Sequence, residues 1–100
     1  MSFLDLSNDK DIIIRVDLKT IQGDTGSELK NICKKRLDEK MRDIHLDFAA
    51  VKYMDSSSIG ALLYLIQFLK KDGHKIYLDK ASEEVRQLFK SLILDQFLVM

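Results

Sequence analysis

Three consecutive serines at positions 56–58 follow directly after Asp55 in this chain of 100 residues. They lie between an alternating, strand-like run at 43–48 and an apolar run that begins at Ala61. Small polar residues at such a boundary are typical of the start of a helix, where the first backbone N–H groups have no partner within the helix. Because those N–H groups and the helix dipole attract anions, a serine here serves either as a helix cap or as the carrier of a phosphate.

The sequence contains no complete set of residues for an enzyme. A nucleophilic serine needs a sharp Gly-x-Ser-x-Gly turn and a base, and the only histidines are His45 and His74. The run Gly23–Gly26 lacks the Gly-Lys-Ser/Thr ending of a phosphate-binding loop. Cys33 is the only cysteine, which excludes a disulfide within the chain and a multi-cysteine metal site. We therefore predict a protein without catalytic activity, metal or cofactor.

Composition and charge narrow the class of protein. Sixteen basic and sixteen acidic residues give a net charge of zero, which argues against direct binding to nucleic acid or to an anionic membrane. No apolar run is long enough to span a bilayer, and the first residues do not form a secretory signal, so we expect a cytoplasmic protein. With 46% hydrophobic residues, the chain from 1 to 100 is expected to form one domain around one core.

The strands are predicted from alternation of apolar and polar residues. A short strand at 3–6, a turn at 7–9 and a second strand at 12–19 are expected to form an antiparallel hairpin. A third strand is predicted at 44–48 and a fourth at 74–78.

The helices are predicted from start signals and from apolar residues at helical spacing. Thr25 with Glu28 three residues later fits a capping box, with Asp24 as the alternative cap, and Ser82 is the expected cap of a later helix. The helix that follows the serines is predicted to run to about Lys71. The buried stripes of the first and third helices are predicted to be Leu29, Ile32, Cys33, Leu37 and Met41, and Val85, Leu88, Phe89 and Leu92, respectively.

The order of these elements predicts the fold class. After the hairpin, the chain alternates helix, strand, helix, strand and helix. This order favours an α/β domain in which three to four helices pack on a small mixed sheet of about four strands. Residues 49–54 are expected to connect the third strand to the serines, and the apolar tail at 93–100 has no assignable period.

The segment around the serines resembles a known family motif. The order of strand, Asp-Ser-Ser, small residue, Ile/Leu-Gly and long apolar helix is similar to that in the STAS domains of bacterial anti-sigma-factor antagonists. The resemblance covers nearly the whole chain, and its specific part is the motif Asp55–Gly60. That family commonly has Asp-Ser-Ser-Gly-(Leu/Ile)-Gly with a phosphate on the second serine, which corresponds to Ser57 here. Ser58 stands where glycine is usual, so Ser56 and Ser58 remain alternative hydroxyls.

The resemblance implies a protein-interaction switch. The unphosphorylated protein would bind an anti-sigma factor that is also a serine-protein kinase, phosphorylation of Ser57 would release that partner, and a serine phosphatase would reset the switch. The residues predicted to contact the partner are Tyr53, Met54, Asp55, Ser56, Ser57, Ser58 and Asp24. We expect a monomer or weak dimer. The alternative is a non-phosphorylated STAS scaffold in a signalling or lipid-transport complex, which the unusual Ser58 would favour.

Overall fold

Residues 2–100 are described by a computed structural model, in which a four-stranded mixed sheet carries three α-helices. The strands are β1 (Phe3–Asp5), β2 (Asp11–Val16), β3 (Thr20–Ile21), β4 (Asp43–Phe48), β5 (Tyr53–Met54) and β6 (Ile76–Ala81); the helices are α1 (Asp24–Glu39), α2 (Ser56–Lys70) and α3 (Glu83–Ser91), with a 3₁₀ turn at Leu94–Gln96. The sheet order is β1-β2-β4-β6, with β1 antiparallel to β2 and the other neighbours parallel. The predicted α/β fold with a small mixed sheet is confirmed.

The two faces of the sheet differ because its strands alternate between apolar and polar residues. The strand residues on the face that packs against the helices belong to the core and are almost fully buried: Ile12, Ile14, Val16, Ile44, Leu46, Phe48, Ile76 and Leu78. Burying one such side chain stabilises the fold by about 1.5–3 kcal/mol. The opposite face carries Arg15, His45, Asp47 and Tyr77 and is partly open to solvent. The alternation predicted for β2 and β4 is confirmed.

Helices α1 and α2 lie side by side and run in the same direction. Near their starts, Gly26 packs so closely on Ser58 that an added Cβ atom would lie 2.6 Å from the Ser58 Oγ and 2.7 Å from its Cα. Further along both helices, the Nζ of Lys34 lies 3.8 Å from the ring centroid of Phe68. These successive contacts place both helix N-termini at the same end of the domain.

A second pair of strands lies just before those helix starts. In this pair, the short strands β3 and β5 run parallel to each other. Residues 49–54 connect β4 to the serines as predicted, but the last two of them form β5, and the strand predicted to reach residue 19 stops at Val16. Strands of two residues show no period in the sequence, so only their long-range pairing identifies them.

Two predicted features of the helices are wrong. The N-cap of α1 is Gly23, and neither Asp24 nor the Thr25–Glu28 box caps the helix with a side chain. Gly23 has φ 56° and ψ −130°, a conformation that favours glycine. With Gly23 as the N-cap, α1 begins at Asp24, which is earlier than a cap at Asp24 or at Thr25 would allow. Leu92, predicted to be buried, is 46% exposed because α3 ends at Ser91.

The C-terminal part of the chain covers one edge of the sheet. Ser82 caps α3 as predicted, and its Oγ accepts the backbone N–H of Val85 at 3.2 Å. Strand β6 begins at Ile76, two residues later than predicted. The apolar tail places Leu98 in the core and pairs Val99 with the edge of β6 in a parallel bridge.

Candidate functional site

One carboxylate joins the starts of the two parallel helices. Asp55 is the N-cap of α2, and its Oδ1 accepts the backbone N–H of Ser58 at 2.9 Å. Its Oδ2 accepts the backbone N–H of Gly23, the N-cap of α1, also at 2.9 Å. The backbone N–H of Asp55 itself donates to the carbonyl oxygen of Ile21 at 3.1 Å. The strand pair β3–β5 thus delivers both helix starts to one side chain.

These donors fix the charge of Asp55. The backbone N–H of Gly23, together with the backbone N–H of Ser58, lowers the pKa of the Asp55 carboxyl to about 2. Hydrogen bonds of this kind stabilise the ionised form, and so does a position at a helix N-terminus. Asp55 is therefore a permanent anion at neutral pH and is too acidic to serve as an efficient general base.

The three serines lie in different environments. Ser56 is exposed at the first position of α2. Ser57 is also exposed, and its hydroxyl donates to Asp55 Oδ1 at 3.1 Å. Ser58 is only 1% exposed, and its Oγ has no hydrogen-bond partner within residues 2–100, because the side chain lies against Gly26. Only the first two hydroxyls are accessible to another protein without opening the helix pair.

The other residues predicted to contact a partner separate into two groups. Tyr53 is 51% exposed, and Asp24 is exposed in the first turn of α1. Met54 is 2% exposed and belongs to the core, contrary to the prediction that it contacts a partner. Successive residues of a strand point to opposite sides, so β5 exposes one of its two side chains and buries the other.

Two glycines of the site were not identified from the sequence. Gly23 supplies a backbone N–H to Asp55, and Gly26 provides the space that Ser58 occupies. The sequence signal was the Gly-x-x-Gly spacing just before the apolar stripe of α1, which marks a turn but does not identify a contact 32 residues away.

The two histidines belong to other clusters. On the open face of the sheet, His45 stacks on Tyr77 with ring centroids 4.6 Å apart, and its Nδ1 and Nε2 lie 3.0 Å from Asp79 and 3.4 Å from Asp11. Burial alone lowers the pKa of His45, but the two carboxylates outweigh it and raise the pKa above its ordinary value. His74 Nδ1 lies 3.0 Å from an oxygen of the Asp43 carboxylate, so neither histidine is placed to activate a serine.

The described residues offer no evident site for a metal ion. Within residues 2–100, no group of three or more His, Cys, Asp or Glu side chains is arranged to hold one. Over the same range, no helix combines the length and the apolar character that crossing a membrane requires.

Comparison with known proteins relates this arrangement to one family. Residues 6–100 match the family model of the STAS domain. An anti-sigma-B factor antagonist of Staphylococcus epidermidis is 29% identical over 65 residues, which are 65% of this chain. The match spans 60% of the length of that relative.

Solved structures share the fold. The unphosphorylated form of the anti-sigma factor antagonist SpoIIAA superposes with a TM-score of 0.81 and 18% identity, over 97% of this chain and 85% of that one. The phosphorylated form of the Bacillus cell fate determinant SpoIIAA gives a TM-score of 0.74 and 17% identity, over 97% and 88% of the two chains. From the family match over most of its length and from this common fold, we conclude that the chain belongs to the STAS domain family.

Proposed function

We propose that this protein is an anti-sigma-factor antagonist that works as a phosphorylation-regulated switch. In its unphosphorylated form it binds an anti-sigma factor with serine-protein kinase activity. Phosphorylation of Ser57 by that partner ends the interaction, and a serine phosphatase restores the binding form. The observation that carries the proposal is the exposed Ser57 hydroxyl at the start of α2, held by Asp55.

The environments of the serines support Ser57 as the modified residue. A kinase needs an accessible hydroxyl, and the hydroxyl of Ser58 is buried. Ser56 is accessible, but within the described chain no hydrogen bond joins its hydroxyl to Asp55, whereas the Ser57 hydroxyl is oriented by one. The resemblance of the motif to that of the anti-sigma-factor antagonists supports the same position for the phosphate.

Charge supplies the mechanism of release. A phosphate adds about −1.5 to −2 charge at pH 7, and here it would stand beside the ionised Asp55. A partner surface that fits an uncharged hydroxyl would then face a concentrated, desolvated negative charge. Such a like-charge contact costs several kcal/mol, which corresponds to a loss of affinity of about a hundredfold or more.

The proposed partner surface surrounds the two helix starts. It comprises Tyr53, Asp55, Ser56, Ser57 and Asp24, of which Asp55 is partly buried and the others are exposed. Aromatic residues such as Tyr53 are enriched in interfaces. The protein is the substrate and ligand of the kinase and has no catalytic role of its own. We infer that residues 1–100 act as one STAS domain, in the cytoplasm, as a monomer or weak dimer.

The scaffold alternative rested on Ser58 replacing the usual glycine and on the apolar character of the second helix. The replaced glycine does not count against a switch, since Ser58 is accommodated by Gly26 and Ser57 stays exposed. Most apolar side chains of α2 are buried or partly buried in the core, so they offer little surface to a scaffold partner.

The assignment of Ser57 as the phosphorylated residue is tested by incubating the protein with a cognate anti-sigma factor kinase and ATP. Intact-mass and peptide analysis then locate the phosphate. We expect one phosphate, on Ser57, in the wild type and in Ser56→Ala, and none in Ser57→Ala. Phosphorylation of Ser57→Ala at the wild-type rate, or modification only outside residues 56–58, would contradict the assignment.

A further inference from the structure

Asp55 connects the Ser57 hydroxyl with the start of the other helix. Its Oδ1 accepts from the Ser57 hydroxyl at 3.1 Å and from the Ser58 N–H at 2.9 Å, while its Oδ2 accepts from the Gly23 N–H at 2.9 Å. Gly23 is the donor that lies outside the serine motif, 32 residues earlier in the chain. A change at Ser57 therefore reaches α1 through a single side chain.

Phosphorylation of Ser57 changes this arrangement in two ways. The hydroxyl proton that Asp55 accepts is lost, and phosphate oxygens are placed close to its ionised carboxylate. Like charges a few ångströms apart repel, and the phosphate competes with Asp55 for the unpaired N–H groups at the start of α2. Asp55 then has to move or to hold its other donors more weakly.

We propose that phosphorylation of Ser57 weakens the hydrogen bond between Asp55 and Gly23 and so loosens the start of α1. Residues 22–24 thereby become a second part of the partner surface that responds to the modification. The proposal takes from the proposed function only the identity of the modified serine.

The start of α1 is suited to respond locally. Gly23 has a positive φ, and within residues 2–100 the hydrogen bond from its N–H to Asp55 is the one side-chain restraint on this end of α1, since the helix has no side-chain cap of its own. The backbone bond from the Thr25 N–H to the Gln22 carbonyl, at 3.1 Å, remains. One turn later, Gly26 is packed on Ser58 and the next apolar residues of α1 are buried. The loosening should therefore end before Gly26.

The test uses phosphoserine incorporated at position 57 during synthesis of the protein, so that no kinase or partner is needed. Amide hydrogen exchange is measured by NMR for Gly23, with Cys33 in the buried part of α1 as the internal reference. We expect exchange at Gly23 to accelerate by about tenfold, the effect of losing one hydrogen bond to a charged group, with no change at Cys33. The pKa of Asp55, followed by its carboxyl ¹³C shift, should rise from about 2.

Phosphoserine at position 56 is the matched control, because it adds the same charge on the neighbouring residue, whose hydroxyl makes no hydrogen bond to Asp55 in the described structure. Gly23 exchange should change little in that protein, and an equal response to both phosphates would overturn the proposal. In the Asp55→Asn variant, phosphoserine at position 57 should no longer affect Gly23. A wild-type response in that variant, or unchanged Gly23 exchange in the modified wild type, would also overturn it.

These results are separable from the proposed function. If the phosphate at position 57 abolishes binding of the anti-sigma factor while Gly23 exchange is unchanged, the switch stands and the coupling is wrong. If Gly23 responds while binding is unaffected, the coupling stands and the proposed function is wrong.

Discussion

Two regions of the molecule arrange carboxylates around hydrogen-bond donors, and the donors differ between them. At the helix starts, Asp55 accepts from backbone N–H groups, whose protonation does not change with pH. On the open face of the sheet, Asp79 and Asp11 flank His45, whose ring changes charge near neutral pH. The first region is therefore insensitive to physiological pH and responds to covalent modification. The second responds to pH and carries no residue of the proposed switch.

The largest effect on stability is expected where the helix starts are packed. Gly26→Ala places a Cβ atom within 2.7 Å of the Ser58 backbone, so the helices must separate, and we expect a loss of about 1–3 kcal/mol in the free energy of unfolding. Gly60→Ala is the matched control, because nothing lies within 4 Å of its added Cβ atom. It should gain about 0.5–1 kcal/mol from helix propensity.

Urea denaturation of the two variants measures this difference. Equal effects of the alanine substitutions at Gly26 and Gly60 would contradict the close contact between the helices, and with it the burial of Ser58.

The next effect concerns the acid stability that Asp55 supplies. Its pKa is about 2 in the folded protein and near 3.8 when unperturbed, so its contribution is present above pH 3.8 and is lost as the pH falls towards 2. Asp55→Asn should lower the free energy of unfolding at pH 6, and this free energy should then depend less steeply on pH between pH 4 and 2. Asp24→Asn removes the same charge nearby but leaves the Gly23–Asp55 bond in place. If the free energy of unfolding falls equally steeply between pH 4 and 2 in Asp55→Asn and in Asp24→Asn, the backbone donors do not stabilise the Asp55 anion.

The smallest effect is expected on the sheet. The pKa of His45 is raised, so its favourable contribution is complete below pH 6.5 and is lost as the pH rises through the folded value. His45→Gln should therefore reduce stability at pH 5.5 by less than about 1 kcal/mol, and by still less at pH 8.5. NMR titration of the His45 ring should give a lower pKa in Asp79→Asn than in the wild type. An unchanged pKa of His45 in that variant would contradict the contrast between the two regions.

The regular parts of the fold could be predicted from the sequence because their signals are local. Alternation in β2 and β4 and the Ser82 cap of α3 depend on residues a few positions apart, and both are confirmed. The pairing of β3 with β5 depends on residues more than 30 positions apart and leaves no periodic pattern. The element that brings the two helix starts together is therefore not predictable from local patterns in the sequence.

The same limit applies to the site. The serine motif and its helix start were predictable, because small polar residues at a strand-to-helix boundary have a known physical role. The different exposure of Ser57 and Ser58 depends on Gly26, and the second role of Asp55 depends on Gly23. Neither glycine is a neighbour of the serines in the chain. Met54 was misassigned because a two-residue strand has one buried side, which a reading of the segment as a loop does not anticipate.

In the proposed switch, charge on Ser57, and not loss of structure, ends partner binding. The decisive experiment titrates the isolated anti-sigma factor with Ser57→Asp and with Ser57→Ala and records a melting curve for each protein. Both variants should melt within a few degrees of the wild type, because Ser57 is an exposed residue whose hydroxyl makes one hydrogen bond. Ser57→Ala should bind as the wild type does, and Ser57→Asp about a hundredfold more weakly. Wild-type affinity in Ser57→Asp, or a loss of binding that accompanies unfolding, would contradict the switch.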